Sequence, residues 1–184
     1  MCHPARGPSR LRCPSASSCI GRRSSWPRQG RDAMIETMTR SYEQLEVGAV
    51  YRSRFGRTIL EADNVWFTLL TLNTNPIHFD AEYAAQTEWK QPLVDSTFTL
   101  ALVTGLSVTD VSERAVNLGW REVRLPAPVF AGDTIRAETE VLEKRESQSR
   151  PGQGIVTVRT RGLNQRDEVV IDFERTIMVP LDRD

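Results

Sequence analysis

The chain holds two histidines, His3 and His78. His78 sits in the stretch Asn73-Thr74-Asn75-Pro76-Ile77-His78-Phe79-Asp80. An imidazole is the side chain whose ordinary pKa lies near neutrality, so His78 is the candidate for taking up and returning a proton. Pro76 fixes its own φ and keeps Asn75 extended, and asparagine side chains bond the backbone of turns. The spacing therefore predicts a rigid corner that presents the amides of Asn73 and Asn75 and one imidazole on a single short loop. Such a set could run proton transfer through an oriented water. A turn whose histidine only bonds its neighbours satisfies the same pattern, because most such residues are structural. Asp80 fits the N-cap of a following helix better than a catalytic role.

Several elements must hold this corner. A helix from Glu61 to Leu70, carrying Val65, Trp66, Leu69 and Leu70, has to stop before Pro76, and Thr58 and Glu61 are spaced as its capping box. Ala81 to Thr87 predicts a short helix. Thr97–Val111 predicts a longer one, apolar on almost every side and so destined for the interior. Asp95 or Ser96 is its N-cap, and its first N–H groups point back towards the corner, where they could meet developing negative charge.

From Val116 onwards the chain reads as strands. Gly132-Asp133 is a turn signal, and Ile135, Ala137, Thr139 and Val141 alternate with polar residues. Arg145 to Gly154 predicts a loop, and Ile155–Gly162 and Val169–Val179 the last two strands. In the final strand Val169, Ile171, Phe173, Ile177 and Val179 share a face. Early helices, late strands and one helix too apolar for a surface predict an α+β architecture, an antiparallel sheet wrapped around a long buried central helix.

Asn75, Pro76, Ile77, His78 and Asp80 resemble the signature of the MaoC-like dehydratases and (R)-specific enoyl-CoA hydratases. The segment Pro128-Val129-Phe130-Ala131-Gly132-Asp133 is similar to a second motif of that family, and the similarity runs from about Tyr42 to Val179. The resemblance implies a single hot-dog domain, paired as a homodimer or higher homo-oligomer. It implies reversible addition of water to a 2-enoyl-CoA thioester, with no cofactor beyond the coenzyme A of the substrate.

The family's catalytic aspartate falls on Asn73. An amide can orient water with its carbonyl oxygen but takes up no proton near neutrality. By resemblance, His78 then carries the proton, Asn73 positions the water and the N–H of Ser96 holds the thioester oxygen. Asn75, Pro76 and Ile77 contact the substrate. Members with asparagine at this position resemble the mesaconyl- or itaconyl-CoA hydratase branch, which implies a small branched or carboxylated acyl group. Two other readings stay open: a non-catalytic acyl-CoA-binding or partner subunit that has lost its acid, and a hot-dog acyl-CoA thioesterase, against which Asn-Pro-Ile-His speaks. For the nucleotide phosphates, Arg145, Arg150 and Gly152 are the candidates, next to Lys144. An ordinary solvated hairpin explains that stretch equally well.

Composition narrows the field. The 184 residues suit one domain with a real core. The net charge of zero conceals a basic leader: residues 1–32 carry seven arginines and one acid, and the rest carries 17 basic and 23 acidic residues. A mildly acidic domain is a poor nucleic-acid binder. No run of eighteen apolar residues spans a membrane. Cys2, Cys13 and Cys19 fit no zinc pattern, and no metal site is expected. Residues 1–33 read as a disordered Arg/Ser/Pro-rich tail, better explained by a mis-assigned start than by a targeting signal. Residues 34–184 read as the single domain, expected in the cytoplasm.

Overall fold

The structure, a computed structural model, describes residues 40–182. The expected tail, with its cysteines and His3, lies outside the described residues. Among these residues the strands are Val50–Arg52 (β1), Arg57–Thr58 (β2), Val116–Arg124 (β3), Thr134–Glu146 (β4), Gln153–Leu163 (β5) and Val169–Pro180 (β6). They pair antiparallel in the order β1-β4-β5-β6-β3, with β2 also on β4. The helices are Glu61–Thr71 (α1), Ala81–Ala85 (α2) and Ser96–Leu106 (α3).

The alternation in β4 does what its pattern predicts. Ile135, Ala137, Thr139 and Val141 are buried, while Arg136, Glu138 and Glu140 lie on the wetter face. Across this inner face lies α3, whose Val103 and Leu106 pack with Ile135, Ala137, Ile171 and Phe173. The helix comes this close because β5 offers Gly162, where a Cβ would sit 2.6 Å from a Val103 methyl. Propensity does not make this helix. Thr97, Thr99, Thr104 and Gly105 together cost roughly 2–3 kcal/mol relative to alanine. Burying Val103 and Leu106 contributes about 3–6 kcal/mol, so packing decides.

The structure departs from expectation at several places, each for a local reason. The central helix ends at Leu106 rather than Val111, and the chain continues as a π turn over Val108–Ser112. Nor is it wrapped on every side: one sheet covers one flank, leaving Ala101 and Gly105 exposed. The capping box of α1 is not Thr58 with Glu61. Asp63 reaches back to the N–H of Leu60 at 2.8 Å, while the Thr58 hydroxyl pairs with that of Thr134 at 2.7 Å. On α1, Trp66, Leu69 and Leu70 stay exposed.

In β6 the inward face does not run apolar from Phe173 to Ile177. Between them Arg175 is buried and donates to the hydroxyls of Ser107 (2.8 Å) and Ser112 (3.2 Å). Burial draws its pKa down to about 10, which leaves it charged at neutrality. Of the polar stretch 145–154, residues 147–152 form the expected turn, while 145–146 end β4 and 153–154 begin β5.

Candidate active site

Asn73 follows the end of α1, where Leu72 turns left-handed at φ 56° and the N–H of Asn73 closes on Thr68 O at 2.9 Å. Asn75 then caps a single 3₁₀ turn, Pro76–His78, by accepting the N–H of Ile77 at 3.3 Å. Pro76 suits the first position of that turn because its missing N–H would have no partner there. Asp80 caps α2 through the N–H of Tyr83 at 3.0 Å, as its placement predicts.

His78 points its Nδ1 at the carbonyl of Leu93, 2.8 Å away. A carbonyl only accepts, so Nδ1 carries the hydrogen and Nε2 presents a lone pair. Asn73 donates from Nδ2 to Oδ2 of Asp95 at 2.6 Å and accepts the N–H of Asn75 on Oδ1 at 3.0 Å. Asp95 is itself only 2% exposed. Its Oδ1 takes the N–H groups of Thr97 (2.7 Å) and Phe98 (3.2 Å) and the hydroxyl of Thr97. That makes it the N-cap of α3 and leaves the N–H of Ser96 outside the carboxylate's grip. Of the two cap candidates, Asp95 and Ser96, the structure takes Asp95.

Burial on its own pushes the Asp95 carboxyl up. The hydrogen bonds from the Thr97 side chain, the Asn73 amide and the N–H groups of Thr97 and Phe98 together outweigh it and hold the pKa below the usual aspartate value. A depressed carboxyl pKa contributes stability that is complete above the unfolded-state value, near 3.8, and lost as pH falls through the folded one. We therefore expect the stability gap between wild type and Asp95→Asn to narrow as pH drops from 6 towards 3, read from urea midpoints. A gap that widens on acidification would contradict the ionised cap.

The residue that sequence reasoning missed is Asn64, on the inner side of α1 and 3% exposed. Its Nδ2 donates to the carbonyls of His78 (2.7 Å) and Leu93 (3.1 Å), and its Oδ1 accepts the N–H of Asp95 at 2.8 Å. One amide thus ties the helix, the corner and the start of α3 together. With Leu93 N–H on Ile77 O at 3.0 Å, His78, Asn73 and Ser96 are all anchored to the segment 93–96.

Asn75, Pro76 and Ile77 build the corner through their backbone and caps. Two clefts flank it. One, of about 220 Å³, is lined by Trp89, Leu93, Ser96, Thr99, Leu125 and Pro128. The other, of about 330 Å³, is apolar and lined by Val65, Leu69, Leu72, Asn73 and Phe79.

Arg145, Arg150 and Gly152 are not brought to the corner. The corner joins the start of β4 through the Leu93–Phe130 bridge, while these residues lie at or beyond its far end, about 40 Å of strand away at 3.3 Å per residue. Lys144 is engaged there, donating to the carbonyls of Tyr42 (3.1 Å) and Glu43 (3.3 Å). Gly152 sits at φ +80° in the turn, and the ring of Tyr42 covers Gly154. Among the described residues no group of three His, Cys, Asp or Glu could hold a metal ion.

A curled antiparallel sheet with a helix across its inner face and a histidine corner at that helix's N-terminus is a hot-dog arrangement. A Mycobacterium tuberculosis protein described as having a double hot-dog fold superposes with a TM-score of 0.74, covering 82% of this chain and 47% of that one at 24% identity, a likeness of fold alone. Residues 43–162 match the model of the MaoC-like domain, and the chain belongs to that family.

A mesaconyl-CoA hydratase of Cereibacter sphaeroides is 36% identical over 76% of this chain and 41% of its own length. The unliganded R-hydratase of Pseudomonas aeruginosa is 33% identical with a TM-score of 0.66, covering 77% of this chain and 86% of that one. The chain spans less than half the length of the first curated relatives that it matches.

Proposed function

We propose that this domain adds water reversibly to a 2-enoyl-CoA thioester. The observation that carries the reading is His78, whose Nδ1–H is held by Leu93 O so that Nε2 is the acceptor. Water lies between Nε2 and the second lone pair of Asn73 Oδ1. Its proton passes to Nε2 as its oxygen bonds to Cβ, and the alkene electrons move towards the thioester oxygen, which meets the N–H of Ser96. The imidazolium then returns a proton to Cα, so the base ends as it began. No residue other than His78 has to change charge.

A mesaconyl-type substrate, small and carboxylated, goes with the name of the Cereibacter relative and with asparagine at position 73. A homodimer also belongs to this reading. β3 is an edge strand that exposes Val116, Leu118 and Trp120, and a bare apolar edge wants a partner. A cytoplasmic setting, where CoA thioesters are at hand, completes it. Among the described residues no helix is long and apolar enough to cross a membrane. The neutral amide of Asn73 favours one rival, a CoA-binding partner subunit without turnover.

The deciding experiment is a hydration assay of the full chain with crotonyl-CoA and mesaconyl-CoA. Turnover of either, with mesaconyl-CoA the better, is the expected result. Binding of both without turnover would replace the enzyme by the binding subunit.

A further inference from the structure

Asp95 is a buried carboxylate without a cation. No basic side chain lies within ion-pair distance of it among the described residues, and its outward oxygen, Oδ2, is given to the neutral amide of Asn73 at 2.6 Å. The amide is pinned at both ends. A carboxylate only accepts, so Nδ2 must face Asp95; a backbone N–H only donates, so Oδ1 must face Asn75. The remaining lone pair of Oδ1 and the remaining N–H of Nδ2 are thereby fixed in space. Asn73 also lines the apolar cleft beside the corner. We infer that Asp95 is a positioning residue for hydration: through its charge it sets which face of the Asn73 amide meets the water. This rests on the hydratase reading above.

The alternatives to a carboxylate at position 95 all fail on hydrogen-bond polarity. In Asp95→Asn the new amide must still offer its oxygen to the N–H groups of Thr97 and Phe98, so its NH₂ meets the NH₂ of Asn73. Asn73 must then flip, setting NH₂ against the N–H of Asn75 and presenting the wrong group to the water. The cap itself survives, since asparagine caps helices as well as aspartate does. In Asn73→Asp two carboxylates meet at the present 2.6 Å separation and must share a proton. In the exchange Asn73→Asp/Asp95→Asn every donor again faces an acceptor: the carboxylate at position 73 receives the amide NH₂ and the N–H of Asn75.

The test is steady-state hydration of crotonyl-CoA and mesaconyl-CoA by wild type, both single variants and the exchange, with melting curves alongside. Asp95→Asn is expected to lose about 10²-fold in kcat at similar KM, since misplaced reacting groups cost about that much, while it stays folded, with only the modest fall in melting temperature that loss of the ionised cap brings. Asn73→Asp should show activity displaced to a different pH range, because its paired carboxylates titrate together. The exchange should return to within about tenfold of wild type, with a new acidic limb in its pH profile from the carboxylate at the water. A structural cap predicts neither the rescue nor the limb. Wild-type kcat in Asp95→Asn, or an exchange no better than Asp95→Asn, overturns the inference while leaving the hydratase reading intact. An inert wild type removes the hydratase reading and this inference with it.

Discussion

His78→Ala loses 10²–10⁴ in turnover while the domain stays folded. The imidazole makes one side-chain bond, Nδ1–H to Leu93 O, and a single hydrogen bond contributes about 1 kcal/mol net. The Asn64 amide also holds that carbonyl, at 3.1 Å, so truncating the ring leaves no orphaned acceptor. Loss of the proton carrier is another matter. Neither Asn73 nor Ser96 can store a proton near neutrality, and Asp95 is held ionised under the N–H groups of α3. Single-turnover hydration with a melting curve checks this. Retained activity on an unchanged melt would make His78 a structural residue and end the proposed mechanism.

Asn64→Leu is expected to be the most damaging single change in the described domain. Leucine is close in size and fills the space, yet it leaves two buried groups unpaired, the carbonyl of His78 and the N–H of Asp95, and takes from the carbonyl of Leu93 one of its two donors, the other being His78 Nδ1. Each buried polar group left unpaired costs about 1–3 kcal/mol. The sum is at least about 2 kcal/mol, or roughly 6 °C in melting temperature for a domain of this size. Turnover should fall further than stability, since the corner loses its tie to the start of α3. Asn64→Asp is the informative companion. It keeps the acceptor for Asp95 N–H but turns the donor into a second acceptor against two carbonyls, so it should be no milder than leucine. A shift below about 2 °C for Asn64→Leu would mean that water replaces the amide, and that the corner is held elsewhere.

Much of this was legible beforehand because it is local. Pro76 after Asn75, the cap at Asp80 and the alternation through β4 each follow from neighbours in sequence, and the antiparallel sheet with its central helix followed from their sum. What sequence hid depends on distant partners. Asn64 looks like one more polar residue of an amphipathic helix; its contacts lie 14, 29 and 31 residues away. Arg175 breaks an apolar face only because Ser107 and Ser112 arrive from the other side of the chain. Thr58–Glu61 and Leu60–Asp63 share the same spacing, and only the true first turn, starting at Glu61, chooses between them. The cations at 144–150 made a cluster in sequence, yet nothing local could say which end of β4 they would occupy.

The triple tie at Asn64 also bears on how the site is lost. It sits on the helix before the corner, and its three bonds reach the corner once and the strap after it twice, so none of these can leave while the others stay in register. A local opening that parts α1 from the 93–96 segment releases Asn73, His78 and the cap of α3 in one event. Half-assembled sites therefore have little population, and the molecules divide into competent and incompetent ones. The working rate of a sample is then the rate of an intact site multiplied by the fraction closed, and a change far from the chemistry can alter it through that fraction alone.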